Sequence, residues 1–242
     1  MKVIWIDTTS STNTYIKDHS DSLKPGTLVA TREQTAGRGQ RGNSWEAEPG
    51  KNLTFSALAG CPGVSPAAQF FISEAAALAM VSLLGECGIP AIVKWPNDIY
   101  VGSRKIAGIL IENSIMGPHI SQSVIGIGLN VNQRLFLSDA PNPVSMLQLT
   151  GKTFSLADLA LRAAEKLDSY LAKLSAPSSL EDLHGEYLAH LWRRDSRPHH
   201  FKDTATGTIF TAVVEGVEHS GHLLLRAAEG LRRYAFKEVA WL

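Results

Sequence analysis

Two periods of apolar residues run through this 242-residue chain and divide it into strands and helices. Residues 3–6 ("VIWI") read as a strand, and Ser10-Ser11-Thr12-Asn13 then offers N-cap candidates for a short helix ending near His19. Residues 27–32 ("TLVATR") and 53–59 ("LTFSALA") predict strands entering and leaving a polar, glycine-bearing loop. The segment 65–88 ("SPAAQFFISEAAALAMVSLLGECG") predicts a helix, with Ser65 as its cap, Pro66 at the first helical position and Gly88 as its stop. It is apolar on nearly every face, so it belongs at the centre of the core. Strands follow at 91–94, 99–101, 104–113 and 122–129, with turn signals at Pro96-Asn97-Asp98 and Gly102-Ser103.

A second helix spans 155–174, where Ser155 and Asp158 have capping-box spacing. Leu156, Leu159, Ala163, Leu167, Tyr170, Leu171 and Leu174 fall on one of its faces. Pro177 closes it, and 180–194 forms a third helix. Beyond Pro198 the pattern shortens to "GTIFTAVVEGV", "GHLLLRAA" and "RRYAFKEVAWL", strands of a small β-barrel-like module. The pattern therefore predicts an α+β domain over 1–194 and a β module over 195–242. Long helices among closely spaced strands favour a mostly antiparallel or mixed sheet over a βαβ array.

Composition narrows the classes. Apolar residues make up 44% of the chain and charged residues 19%, enough for a sizeable core. Lys+Arg and Asp+Glu both number 23, which argues against a protein that mainly neutralises nucleic-acid phosphates. Cys61 and Cys87 have no metal or redox spacing and read as reduced thiols. The opening "MKVIWIDTTSSTN" has no signal-peptide pattern, and no apolar run of about 18–20 residues predicts a membrane span. A cytoplasmic protein is expected, with His199-His200 and the other histidines at the surface.

Residues 35–52, "TAGRGQRGNSWEAEPGKN", satisfy G-x-G-x-x-G at Gly37, Gly39 and Gly42. A dinucleotide site needs a helix directly after these glycines and an acidic residue about 20 positions on. The chain has Pro49-Gly50 and then "FSALAGCPG" there. A P-loop needs Lys-Ser/Thr after its last glycine, where Asn43-Ser44 stands. Both readings fail. What remains is a loop alternating glycines with donors Arg38, Gln40 and Arg41, followed by Trp45. Glycine admits close backbone approach, arginine binds phosphate or carboxylate in a fork, and tryptophan covers a flat ring.

A second cluster, "KWPNDIYVGSRKIAGILIEN" (94–113), gathers Lys94, Asn97, Asp98, Arg104 and Lys105 around two turns. A third, "GIGLNVN" (126–132), brings two glycines and two asparagines to a strand end. With "SSTN" (10–13), these motifs closely resemble the biotin protein ligases. The resemblance implies a catalytic domain related to class II aminoacyl-tRNA synthetases, followed by an SH3-like module. It also implies a mono-functional enzyme, because the catalytic motifs begin almost at Met1 and leave no place for a DNA-binding domain.

The implied reaction joins biotin to ATP as biotinyl-5′-AMP, with Mg²⁺ on the phosphates. The biotinyl group then passes to a lysine of a biotin carboxyl carrier domain. Lys105, Arg38 and Arg41 are the implied catalytic cations. The implied biotin contacts are Ser11, Thr12, Asn13, Gln34, Gly37, Arg38, Gly39, Gln40, Lys105 and Gly108. The implied nucleotide contacts are Arg38, Gln40, Arg41, Trp45, Asn97, Asp98, Lys105 and Asn130, with Asp98 also a candidate to help with metal. The family loop commonly reads G-R-G-R-x-G, so Gln40 removes a charge beside the adenylate phosphate. No DNA and no membrane partner is implied, and a homodimer through the sheet edge is. A lipoate or octanoate ligase on the same fold, or a non-catalytic biotin or nucleotide sensor, are the alternatives.

Overall fold

A computed structural model describes residues 1–61, 64–137 and 142–242, without the side chains of Arg41 and Pro177. Seven strands form a mixed sheet: β1 (Lys2–Thr9), β2 (Thr27–Gln34), β3 (Leu53–Gly60), β4 (Ile92–Lys94), β5 (Asp98–Val101), β6 (Arg104–Met116) and β7 (His119–Leu129). Their order is β1-β2-β3-β7-β6-β5-β4. Only β1 and β2 pair in parallel, and the helix α1 (Thr12–Asp18) makes the crossover between them.

Alternation along the strands gives the sheet two different faces. Phe55, Ala57, Ile109, Ile125 and Ile127 point to the main core, which α2 (Phe70–Glu86) and α4 (Leu156–Ala172) cover. Their neighbours Thr54, Ser56, Gly108, Gly126 and Gly128 point the other way, toward α1 and the glycine loop. Val29, Leu58 and Val124 make a smaller core there under Ile16 of α1. α2 is buried on most of its circumference, as its continuous apolar pattern requires. With the turn before it, the 21-residue stretch Pro66–Glu86 is long and apolar enough to cross a membrane, contrary to the sequence expectation, yet 72% of its most apolar part lies inside the fold.

The remaining helices are α3 (Met146–Thr150) and α5 (Pro177–Ala189). Five strands follow: β8 (Pro198–Asp203), β9 (Ile209–Val217), β10 (Leu223–Ala227), β11 (Gly230–Tyr234) and β12 (Val239–Trp241). They form an antiparallel sheet in the order β11-β10-β9-β8-β12.

Several local expectations change. The Ser65 side chain accepts no capping hydrogen bond; a single 3-10 turn at Pro66–Ala68 leads into α2 instead. α5 starts at Pro177 rather than after it, because proline suits the first turn of a helix as well as a break. α3 was missed, although Ser145 and Gln148 form a complete capping box and Gly151 ends the helix at φ 72°. β6 and β7 run on to a turn at Gly117, longer than the apolar runs alone indicate.

His184 also departs from the surface expectation. Its Nδ1 lies 2.7 Å from Oε1 of Glu74, which is 0% exposed on α2. The His219 ring meets His184 at 4.5 Å, and Phe71 packs on both. Burial pushes the Glu74 carboxyl up, and the Glu74 hydrogen bond raises the His184 imidazole. Both shifts favour a bound proton in the folded state. The stability this contact gives through His184 is therefore complete below the ordinary histidine value and falls as pH rises through the raised one, while the Glu74 carboxyl, raised by burial against the pull of His184, adds a loss that begins at lower pH. Wild-type melting temperature should decline from pH 6 to 9 more steeply than that of Glu74→Gln, which holds a neutral partner throughout.

Candidate active site

Register aligns the functional positions in two rows across the open face of the large sheet. Lys94 pairs with Asp98, Asp98 with Gly108, Gly108 with Gly128, and Gly128 with Thr54. One step along, Leu110 pairs with Gly126, Gly126 with Ser56 and Ser56 with Val29. Glycines at three of these positions leave a trough in the sheet. It floors a cleft of about 980 Å³, walled by α1, the 37–45 loop and the β11–β12 turn.

The glycines are required by close approach. A Cβ at Gly126 would overlap Oδ1 of Asn13, and one at Gly128 would overlap the indole of Trp45. At Gly108 it would stand 3.1 Å from that indole and 3.3 Å from Lys105 Cε.

The 37–45 loop folds back on itself as a small hairpin. Trp45 donates its N–H to Gly37 O (2.9 Å), Gly39 donates to Asn43 O (2.6 Å), and Gly42 turns the chain at φ +89°. A 3-10 turn, Gln40–Gly42, ends on the last of these glycines and the next element is β3, so neither phosphate motif has the helix it requires. Trp45 is thereby laid along the trough, and the Lys105 Nζ lies 5.7 Å from its ring centroid.

At one end of the cleft, Thr12 donates its backbone N–H to Gln34 Oε1 at 2.8 Å, taking the place of a side-chain cap from Ser11. Ser56 Oγ lies 2.6 Å from Thr12 Oγ1 and donates to Asn13 Oδ1 at 2.5 Å. Asn13 Nδ2 donates to Glu112 Oε2 at 2.7 Å, and Lys17 Nζ reaches Glu112 Oε1 at 2.6 Å. Arg38 approaches the same carboxylate at 3.4 Å and Thr14 Oγ1 at 3.2 Å. Burial pushes the Glu112 carboxyl up, but the donors Lys17 and Asn13 and the Arg38 charge outweigh burial and hold it below its usual range. The result is a compact set of donors and acceptors able to satisfy a polar ring that does both.

In the middle of the cleft, Lys105 is fixed at both backbone and side chain. Its N–H bonds Asn142 O (2.9 Å), its carbonyl accepts from Val144 N (2.9 Å), and its Nζ pairs with Asp98 Oδ1 at 2.6 Å. Asn97 donates its amide to Ile109 O (2.8 Å) while Ile109 N–H returns to Asn97 O (2.9 Å), holding the turn against β6. Gln40 Oε1 and Trp45 Nε1 are buried with no hydrogen-bond partner, so the cleft holds polar atoms for a ligand to satisfy.

The structure thus brings Ser11, Thr12, Asn13, Gln34, Arg38, Gly39, Gln40, Trp45, Asn97, Asp98, Lys105 and Gly108 to one cleft. Gly37 acts from behind the wall by closing the hairpin. Asn130 does not line the cleft: its backbone is tied to Ile106 O and Met146 N, and its side chain is buried with Oδ1 unpartnered. The expectation for the Arg41 side chain lies outside the described residues. Sequence reasoning missed Ser56 and Glu112. Their signal was a polar residue at an every-second position of an apolar strand, in phase with Thr54 and with Gly108 and Leu110.

Residues 5–130 match the Biotin/lipoate A/B protein ligase family. The chain is also 32% identical to a biotin–[acetyl-CoA-carboxylase] ligase of Paracoccus denitrificans, over 96% of this chain and 97% of that one. The chain belongs to this family. Among its members, a bifunctional ligase/repressor of Salmonella typhimurium is 36% identical over 66% of this chain and 51% of its own length. The fold matches a biotin protein ligase of Aquifex aeolicus, solved in complex with biotin and ATP, with a TM-score of 0.81 at 24% identity. That match covers 99% of this chain and 97% of that chain. The family's α+β fold with a mixed sheet is therefore the fold of this chain.

Proposed function

We propose that this chain is a biotin–protein ligase that joins biotin to ATP and passes the biotinyl group to one lysine of a biotin carboxyl carrier domain. The observation that carries the reading is Lys105, clamped at its backbone and paired with Asp98, in the same cleft as Thr12, Asn13 and Lys94. In the first step a biotin carboxylate oxygen bonds to the α-phosphorus of ATP, and the bond to the bridging oxygen breaks to release diphosphate. Two anions must meet, so the site must supply fixed positive charge where they join. Lys105 fills that role, Arg38 adds charge from the hairpin, and Trp45 covers the adenine. Ser11, Thr12, Asn13 and Gln34 hold the ureido ring of biotin. In the second step the acceptor amine attacks the acyl carbon, AMP departs, and the amine gives up a proton.

Mg²⁺ belongs to this reading as the partner of the ATP phosphates. Among the described residues no group of three or more His, Cys, Asp or Glu side chains is set to hold a metal, and Asp98 and Glu112 already face lysines. The catalytic part is assigned to 1–194, on the synthetase-like pattern. The β8–β12 sheet is assigned as an SH3-like module over 195–242; its Lys237 and Trp241 line the cleft. A homodimer through the sheet edge stays part of this reading. The free thiols Cys61 and Cys87 suit a reducing cytoplasm.

Biotin-dependent exchange of labelled diphosphate into ATP tests the first step. The expected result is exchange with biotin and none with lipoate. Exchange with lipoate alone would transfer the assignment to the lipoate branch of the family, and no exchange with either would leave a sensor.

A further inference from the structure

Lys94 closes the glycine row on the side away from the biotin-type donors. It lies two strands beyond β6, in register with Asp98, and it lines the cleft. Among the described residues no carboxylate stands within 4.0 Å of its Nζ, whereas Lys105 and Lys17 each have one at 2.6 Å. Lys94 donates to Tyr100 OH at 3.0 Å, which uses one of its three N–H donors. The Tyr100 and Trp192 rings flank the amine at 4.7 Å and 5.3 Å, and Trp192 packs on Trp241 of the cleft wall at 5.2 Å. Aromatic faces hold a cation in place but leave its charge available.

We propose that Lys94 binds the polyphosphate of ATP and then the departing diphosphate. The inference rests on the adenylation reading above. The geometry gives a linear order: the ring of the acid at Thr12, Asn13 and Ser56, the α-phosphate at Lys105, and the outer phosphates at Lys94. A cation held in a partly buried cleft, where the nearby Asp98 is already paired with Lys105, is costly unless an anionic ligand adds counter-charge. The outer phosphates are the anions this reaction brings there.

A second observation gives the test its control. Burial pushes the Lys94 amine below the ordinary lysine range, with Asp98 opposing and Lys105 and Arg193 adding to the push. Tyr100, raised to about 12 by burial, remains a neutral acceptor beside it, and Lys237 faces the same cleft from the β11–β12 turn. Lys94 therefore loses its charge at lower pH than an ordinary lysine, while an arginine at that position keeps it.

The experiment is diphosphate exchange on the full chain, comparing wild type with Lys94→Met and Lys94→Arg. Lys94→Met should raise KM for both ATP and diphosphate about tenfold and leave KM for biotin unchanged. Its melting temperature should equal or exceed that of wild type, because a partly buried charge is gone. Lys94→Arg should restore most of the ATP affinity. Wild-type KM for ATP should climb at alkaline pH, while that of Lys94→Arg stays flat. Unchanged ATP and diphosphate KM in Lys94→Met, an equal rise in KM for biotin, or parallel pH profiles in wild type and Lys94→Arg would each overturn the inference. If wild type shows no biotin-dependent exchange, the adenylation reading itself fails and takes this inference with it. Wild-type exchange with an unaffected Lys94→Met sinks the inference alone.

Discussion

Lys105→Ala lowers the rate of biotin-dependent diphosphate exchange by about a thousandfold, the cost of removing one preorganised donor from a developing anion. The size follows from how completely this side chain is fixed. Residues 142–144 grip its backbone on both sides, the Asp98 carboxylate holds Nζ at 2.6 Å, and the Trp45 ring lies beside it. Little reorganisation is needed when charge appears, so nearly all of its electrostatic effect reaches the transition state. Asp98 is about one-fifth exposed, and losing its cation also costs folding stability. The double variant Lys105→Ala, Asp98→Asn should recover that stability and none of the activity. Steady-state exchange at saturating biotin, read beside thermal melts, separates the two effects. A loss smaller than about tenfold in Lys105→Ala would remove this lysine from the centre of the chemistry.

The second large effect is expected from one methyl group. Gly126→Ala places a Cβ on Oδ1 of Asn13. Asn13 cannot yield easily, because Ser56, Glu112 and the Leu110 carbonyl all hold its carboxamide. Either Asn13 turns and breaks this network or the sheet shifts under α1, and each route costs roughly 1–3 kcal/mol. KM for biotin should rise by one to two orders of magnitude, while KM for ATP changes little. The same substitution at Gly128 meets Trp45 instead, so it should weaken ATP and spare biotin. Equal effects of both variants on both substrates would contradict the division of the trough into an acid end and a nucleotide end.

How far the sequence carried the structure depended on the kind of signal. α2 was legible because its apolar run leaves no polar face, and the mixed sheet because strands at 91–129 crowd too closely for helical crossovers. The hairpin glycines were visible as a pattern, but their spacing matched two motifs whose physics needs a helix that is absent. The cross-strand rows could not be read from the chain. Whether Lys94, Asp98, Gly108 and Gly128 stand side by side depends on register across four strands, which no local period reports. Ser56 and Glu112 were hidden for the same reason, each being one polar residue in an apolar strand until α1 is folded over it. The buried Glu74–His184 contact joins α2 to α5 across 110 positions of sequence. The histidine rule that served for exposed His200 therefore failed for His184.

On the proposed function, this cleft makes an activated biotin and delivers it to a protein lysine. The most direct measurement is the intact mass of a biotin carboxyl carrier domain after incubation with the chain, ATP and biotin. The expected result is one added biotinyl group on one lysine, dependent on ATP, lost with Lys105→Ala and not replaced by lipoate. An acceptor whose mass is unchanged with the wild-type chain, or changes equally with Lys105→Ala, would contradict it.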